Sequence, residues 1–132
     1  MARSATYRRG DEMRRELMGE ALSAKLQKSG VYSSKHMQKF GEVTRETIFG
    51  LIWTRPGLDL KTRTMITCAS DVASGRTEEL KLHLRFALNQ GWTEDELSEA
   101  ILHLVAYVGA PLVREAMLTA VEVFAEVASE TD

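Results

Sequence analysis

Apolar residues recur at three- and four-residue spacing through most of the chain, and strict alternation is nowhere sustained. The pattern predicts an all-α fold: a single-domain bundle of about six helices. The first helix is expected over residues 7–28, where Met13, Leu17, Ala21, Ala24 and Leu26 make an imperfect apolar stripe and Gly30 follows the end. Ser33 or Ser34 can cap a second helix that runs to about residue 49 or 50. Pro56 and Gly57 then break the chain, with Trp53 and Arg55 bracketing the turn and Asp59 placed to cap the next helix.

The third helix, over residues 60–74, is rich in Ala, Ser and Thr, and between Met65 and Ala73 it holds only Asp71 as a charge. Such a helix is expected to be central, packed closely through small residues and ended by Gly75. A fourth helix spans residues 76–90, closed by Asn89-Gln90-Gly91. Thr93 followed by Glu96 is a capping box that opens the fifth, whose core stripe is Leu97, Ile101, Leu104, Val105 and Val108. Gly109-Ala110-Pro111 breaks the chain again before a last helix over residues 112–127.

Composition narrows the class. The 132 residues fit one domain, and 44% hydrophobic with 27% charged residues is ordinary for a globular fold. A net charge of −2 argues against a general nucleic-acid binder. Arg8, Arg9, Arg14 and Arg15 do cluster, but Asp11, Glu12 and Glu16 interleave with them, which predicts a solvated helix face. No apolar run approaches the roughly 20 residues of a membrane span, and the N-terminus lacks a signal-peptide core, so the expectation is a cytoplasmic protein. The single cysteine, Cys68, excludes an internal disulfide and is expected to be a buried structural thiol.

The residues fit for chemistry are few. Glu79 and His83, four apart on the fourth helix, stack on one face, with Arg76 a turn before and Phe86 beyond. A carboxylate beside an imidazole can fix its tautomer and give a proton donor near neutral pH, although the same spacing also describes an idle surface salt bridge. Leu80, Leu82, Leu84, Ala87 and Leu88 leave little of that helix for water, so His83 is expected to be partly enclosed. Arg85, in the same turn, is a candidate for a substrate carboxylate. His103 and Tyr107 repeat the four-residue spacing on the fifth helix. The histidines form no metal-ligating pattern, and no phosphate loop or dinucleotide fingerprint is present, so neither metal nor cofactor is expected.

Trp53-Thr54-Arg55-Pro56-Gly57-Leu58-Asp59, then Gly75-Arg76-x-x-Glu79-Leu80-x-x-His83-x-Arg85-x-Ala87-Leu88-Asn89-x-Gly91, then His103-x-x-x-Tyr107-x-Gly109-x-Pro111, together resemble the carboxymuconolactone decarboxylase family. The resemblance runs from about Trp53 to Pro111. It implies an all-helical, alkylhydroperoxidase D-like fold assembled into trimers or hexamers with sites near subunit contacts. It further implies cofactor-free decarboxylation of 4-carboxymuconolactone, in aromatic degradation, to an enol-lactone and carbon dioxide.

Related alkylhydroperoxidase-like proteins carry Cys-x-x-Cys-x-x-x-His. Here Arg76 and Glu79 stand at those cysteines and only His83 is retained, which argues against disulfide peroxidase chemistry. Leu51 and Arg114 depart from the decarboxylase pattern, so a different lactone or keto acid is an open alternative. The expected roles are His83 as proton donor oriented by Glu79, Arg85 or Arg55 on a substrate carboxylate, and Trp53 as a pocket wall, with Arg76, His103 and Tyr107 as further contacts. A non-catalytic, small-molecule-binding helical oligomer is the competing reading, and peroxide reduction through Cys68 a third.

Overall fold

A computed structural model describes residues 2–130, all of whose regular elements are helical, in two compact units, Met1–Asp59 and Leu60–Asp132. Among the described residues no helix is long and apolar enough to cross a membrane.

In the first unit α1 (Ala5–Ser29) starts at Ser4, whose hydroxyl accepts the Tyr7 N–H at 3.0 Å, and ends at Gly30 in the left-handed region, φ 70°. Gly19, at φ 73° and ψ 169°, kinks it midway. Ser34 caps α2 (Lys35–Thr44), its hydroxyl accepting the Met37 N–H. The single helix expected to reach residue 49 or 50 instead ends at Thr44 and widens into a π-helical stretch, Arg45–Ile52, that closes with a five-residue bond from Trp53 N–H to the Ile48 carbonyl. This stretch and α1 meet backbone to backbone. A Cβ on Gly10 would stand 1.7 Å from the Arg45 carbonyl oxygen, and one on Gly50 2.5 Å from the Thr6 carbonyl oxygen.

Leu17, Met18 and Leu22 are buried on α1. The Arg45 guanidinium pairs with Asp11 at 3.0 Å. Arg8, Arg9 and Arg15 are exposed, as the interleaved charges predict, but Arg14 is half-buried over the Tyr32 ring, 5.2 Å from its centroid. Burial, and then the neighbouring Arg45 charge, draw its pKa down.

The second unit is built on α3 (Leu60–Ser74) and α4 (Thr77–Asn89), packed against each other. The turn between them is a Schellman motif: Gly75 sits at φ 70°, its N–H bonds the Val72 carbonyl, and the Arg76 N–H reaches back to the Asp71 carbonyl at 2.9 Å. Glycine is required there because the left-handed region penalises a Cβ. The capping box at α5 (Glu94–His103) forms as expected, with Thr93 and Glu96 bonding each other's backbone N–H.

A one-turn α6 (Val105–Val108) follows, and Gly109 at φ 93° opens α7 (Ala110–Glu130) two residues before the expected start. Pro111 thus lies inside a helix after all. It stands in the first turn, where a missing N–H breaks no intrahelical bond. The core includes Cys68, Val72, Leu80, Leu84, Leu97, Ile101, Val113, Ala116 and Val123. Trp92 ties the start of α3 to this unit, donating from Nε1 to the Lys61 carbonyl at 2.8 Å beneath the Lys61 ammonium.

Candidate active site

His83 lies on α4 with its side chain 16% exposed, enclosed as the surrounding leucines predict. The Phe86 ring meets it edge-on, centroids 5.3 Å apart. Its two nitrogens face different carboxylates. Nδ1 is 2.5 Å from Asp71 Oδ2, and Nε2 is 3.9 Å from Glu79 Oε2. The expectation that Glu79 orients the ring is therefore corrected. Glu79 remains 57% exposed and beyond hydrogen-bonding distance, whereas the Asp71 side chain is 8% exposed and in direct contact. The four-residue spacing did bring Glu79 to the imidazole, but on the other nitrogen.

Asp71 was the residue missed. It stands twelve positions before His83 on a different helix, and only the Schellman turn at Gly75 folds the two together. One signal was present in the chain: a lone acid within the small, apolar run of α3, which a buried helix tolerates only with a partner.

Arg85 is also corrected as a substrate-carboxylate ligand. Its guanidinium is 7% exposed, pairs with the Glu130 carboxylate at the end of α7, and has Glu126 3.8 Å from Nη1. A planar cation already held by two acids inside the unit is not presented to a ligand.

Arg76 is exposed immediately before α4, and His103 and Tyr107 are exposed with ring centroids 5.3 Å apart. Trp53 and Arg55 belong to the first unit, where Trp53 is buried and stacks on Phe49 at 6.3 Å while Arg55 is exposed.

Cys68 is 3% exposed. Burial, and then the Asp71 charge, push its thiol up to about 12, so it holds no thiolate at physiological pH. Beside it an apolar cavity of about 200 Å³ is lined by Met65, Val72, Leu84, Leu97, Ile101 and His103, but not by His83. A larger hollow of about 670 Å³ lies in the first unit, against Asp11, Arg14, Arg45 and Tyr32, and holds none of the expected site residues. Its size is no guide to the chemistry, because it contains neither His83 nor its carboxylates. Among the described residues no three His, Cys, Asp or Glu side chains gather as a metal set.

The second unit thus offers one enclosed imidazole set between a buried and an exposed carboxylate, on the segment that carried the resemblance. The model of the carboxymuconolactone decarboxylase family matches residues 38–122, which include all of α3 and α4. The chain belongs to the carboxymuconolactone decarboxylase family.

Among its relatives in this family, it is 40% identical over 119 residues to the 4-carboxymuconolactone decarboxylase of Acinetobacter baylyi, covering 89% of this chain and 86% of that one. It is 35% identical over 116 residues to the nitrosuccinic acid decarboxylase npaB of Metarhizium robertsii, covering 82% and 81%. An uncharacterized 15.0 kDa protein of Paracoccus denitrificans is 35% identical over 83 residues.

Proposed function

We propose that this member of the carboxymuconolactone decarboxylase family is a cytoplasmic carboxy-lyase that removes carbon dioxide from 4-carboxymuconolactone to give 3-oxoadipate enol-lactone, without a cofactor, in the degradation of aromatic compounds. The observation that carries the reading is the enclosed His83, held by a carboxylate on one nitrogen and open toward an exposed carboxylate on the other. The relative of Acinetobacter baylyi, similar over most of both chains, supports the choice of substrate.

Decarboxylation without a cofactor needs an electron sink in the substrate. In an unsaturated lactone the bond to the carboxylate breaks, carbon dioxide leaves, and the electron pair passes through the ring double bond into the lactone carbonyl as a dienolate. A proton then quenches carbon next to that carbonyl. One proton is consumed per turnover. His83 supplies it from Nε2 and is recharged from solvent on the side where Glu79 lies. A positioned acid of this kind contributes on the order of 10²–10⁴-fold in rate.

Within the second unit Arg76 is the proposed partner of a substrate carboxylate, with His103 and Tyr107 as further contacts, on the strength of the resemblance. Exposed Ile66, Leu102, Val105, Leu118 and Val121 support assembly of the second unit with further copies, as a trimer or hexamer.

The test is loss of carboxymuconolactone absorbance with purified protein. His83→Ala is expected to lower kcat at least about 100-fold while the circular dichroism spectrum and oligomer mass stay unchanged. Near-wild-type turnover in that variant would remove His83 from the mechanism. Absence of any turnover by a folded wild-type oligomer would favour a binding role.

The nitrosuccinic acid decarboxylase relative favours a second reading, in which the substrate is a different activated acid. A nitro group beside a carboxylate is an electron sink of the same kind, so the same proton donor serves. Turnover of nitrosuccinate but not of the lactone would decide for it.

A further inference from the structure

Asp71 enters the proposed mechanism only as the group that holds the ring, yet it is the more deeply buried of the two carboxylates around the imidazole. Its backbone is fixed as firmly as its side chain. The Asp71 carbonyl accepts the Arg76 N–H at 2.9 Å in the turn that joins α3 to α4, which sets the register between the two helices. The side chain then reaches His83 Nδ1 at 2.5 Å, and the Phe86 edge closes one side of the ring. An ionised carboxylate only accepts hydrogen bonds, so with Asp71 in that form the contact is made by a proton on Nδ1.

We infer that Asp71 is the positioning residue of this site: it holds His83 as the Nδ1–H tautomer and thereby makes Nε2 the nitrogen that meets the substrate. The inference rests on the reading of His83 as the proton donor. It changes what Glu79 does. With Nδ1 occupied from the interior, Glu79 lies on the working side of the ring, exposed enough to exchange protons with water. Asp71 acts from the side of the ring that faces away from the reaction, so its role is to orient the ring.

The charged and titratable groups around α4 leave this assignment intact. From α3 come Asp71 and the thiol of Cys68; from α4 itself comes Glu79. From α7, Glu122 is held by Lys81, and Glu126 and Glu130 lie on Arg85. Asp71 is therefore the carboxylate in hydrogen-bond contact with His83, and its charge is the one to remove.

The experiment has two arms on the full chain. In the first, nitrogen-15 NMR of histidine-labelled wild-type protein, with His83 assigned by its loss in His83→Gln, reads the neutral ring. Protonated Nδ1 with bare Nε2 is expected; a proton on Nε2 overturns the inference without any variant having to fold.

In the second arm kcat, KM and the nitrogen-15 spectrum are measured for Asp71→Asn and Asp71→Glu. Asp71→Asn is expected to lower kcat on the order of 10²-fold with KM within about twofold, and to leave the neutral ring a mixture of both tautomers. Asp71→Glu, which keeps the acceptor but not the reach, is expected to regain part of kcat and of the Nδ1–H tautomer. Unchanged kcat with an unchanged tautomer in Asp71→Asn would leave Asp71 a packing residue and sink the inference. Full activity in His83→Ala would instead sink the proton-donor reading, and the tautomer measurement would still judge Asp71.

Discussion

Cys68 offers a quantitative test of the buried face of α3. Its thiol is raised from an ordinary 9.0 to about 12, first by burial and then by the Asp71 charge. At pH 8 a thiol of 9.0 is about one-tenth ionised, and one of about 12 about one ten-thousandth. Since the thiolate is the nucleophile, alkylation of native protein by iodoacetamide is expected to be about 10³-fold slower than in denaturant, before any steric protection is added. Mass spectrometry of timed samples reads the rate.

The sign of the stability effect follows from the same shift. A raised value means the folded state keeps its proton longer, so the contribution is complete below pH 9 and is lost as pH rises from 9 toward 12. By pH 10 the loss is on the order of 1 kcal/mol, and Cys68→Ala should remove that part of the alkaline dependence while adding its own cavity cost. Rapid alkylation of the native chain at pH 8, at a rate near that of the unfolded chain, would refute the burial argument. It would also revive the thiol-peroxidase reading, which needs an accessible thiolate.

Three further outcomes rest on the packing. Gly10→Ala drives a methyl group to 1.7 Å from the Arg45 carbonyl oxygen, so α1 must move off the π-helical stretch; a loss of about 3 kcal/mol or more is expected by urea titration, and an unchanged midpoint would deny the close approach. Thr93→Ala removes the cap of α5 at about 1 kcal/mol. The Thr93 backbone N–H, and after it the Thr93 hydroxyl, hold Glu96 below the ordinary glutamate value, a contribution present above that value and lost as pH falls through the lowered one; the variant keeps the first bond and loses the second, so its acid titration should be only slightly flatter there. Arg85→Met separates anchor from ligand: about 2 kcal/mol of stability should go, softened because Glu126 and Glu130 can rehydrate, while the KM for the lactone stays within about twofold. A large rise in KM with stability intact would restore Arg85 to the substrate.

Helix positions were legible because local rules decide them. The Thr93–Glu96 box and Gly75 and Gly30 each act within five residues, and each stands where the spacing placed it. The π-helical widening after Thr44 escaped because it depends on a remote partner: Gly10, some forty residues away, lets another backbone lie against it. Arg85 escaped for a related reason. In the sequence it is one more charged residue in a helix turn, and only the position of α7 turns it into the partner of Glu130.

The site shows the same division within a single side chain. The i, i+4 rule finds Glu79, since one helix turn stacks it over His83, and it cannot find Asp71, since no periodicity links residues on two helices. Burial then ranks the two. A carboxylate more than half exposed shares its charge with water and holds a ring loosely. One that is 8% exposed must keep a donor or lose its charge, so it dictates which nitrogen bears the proton. On the proposed reading, the family segment carries its chemistry on a helix pair. Gly75 belongs to that chemistry as much as His83 does, because a substitution that unwinds the left-handed turn would separate Asp71 from the imidazole without touching either residue.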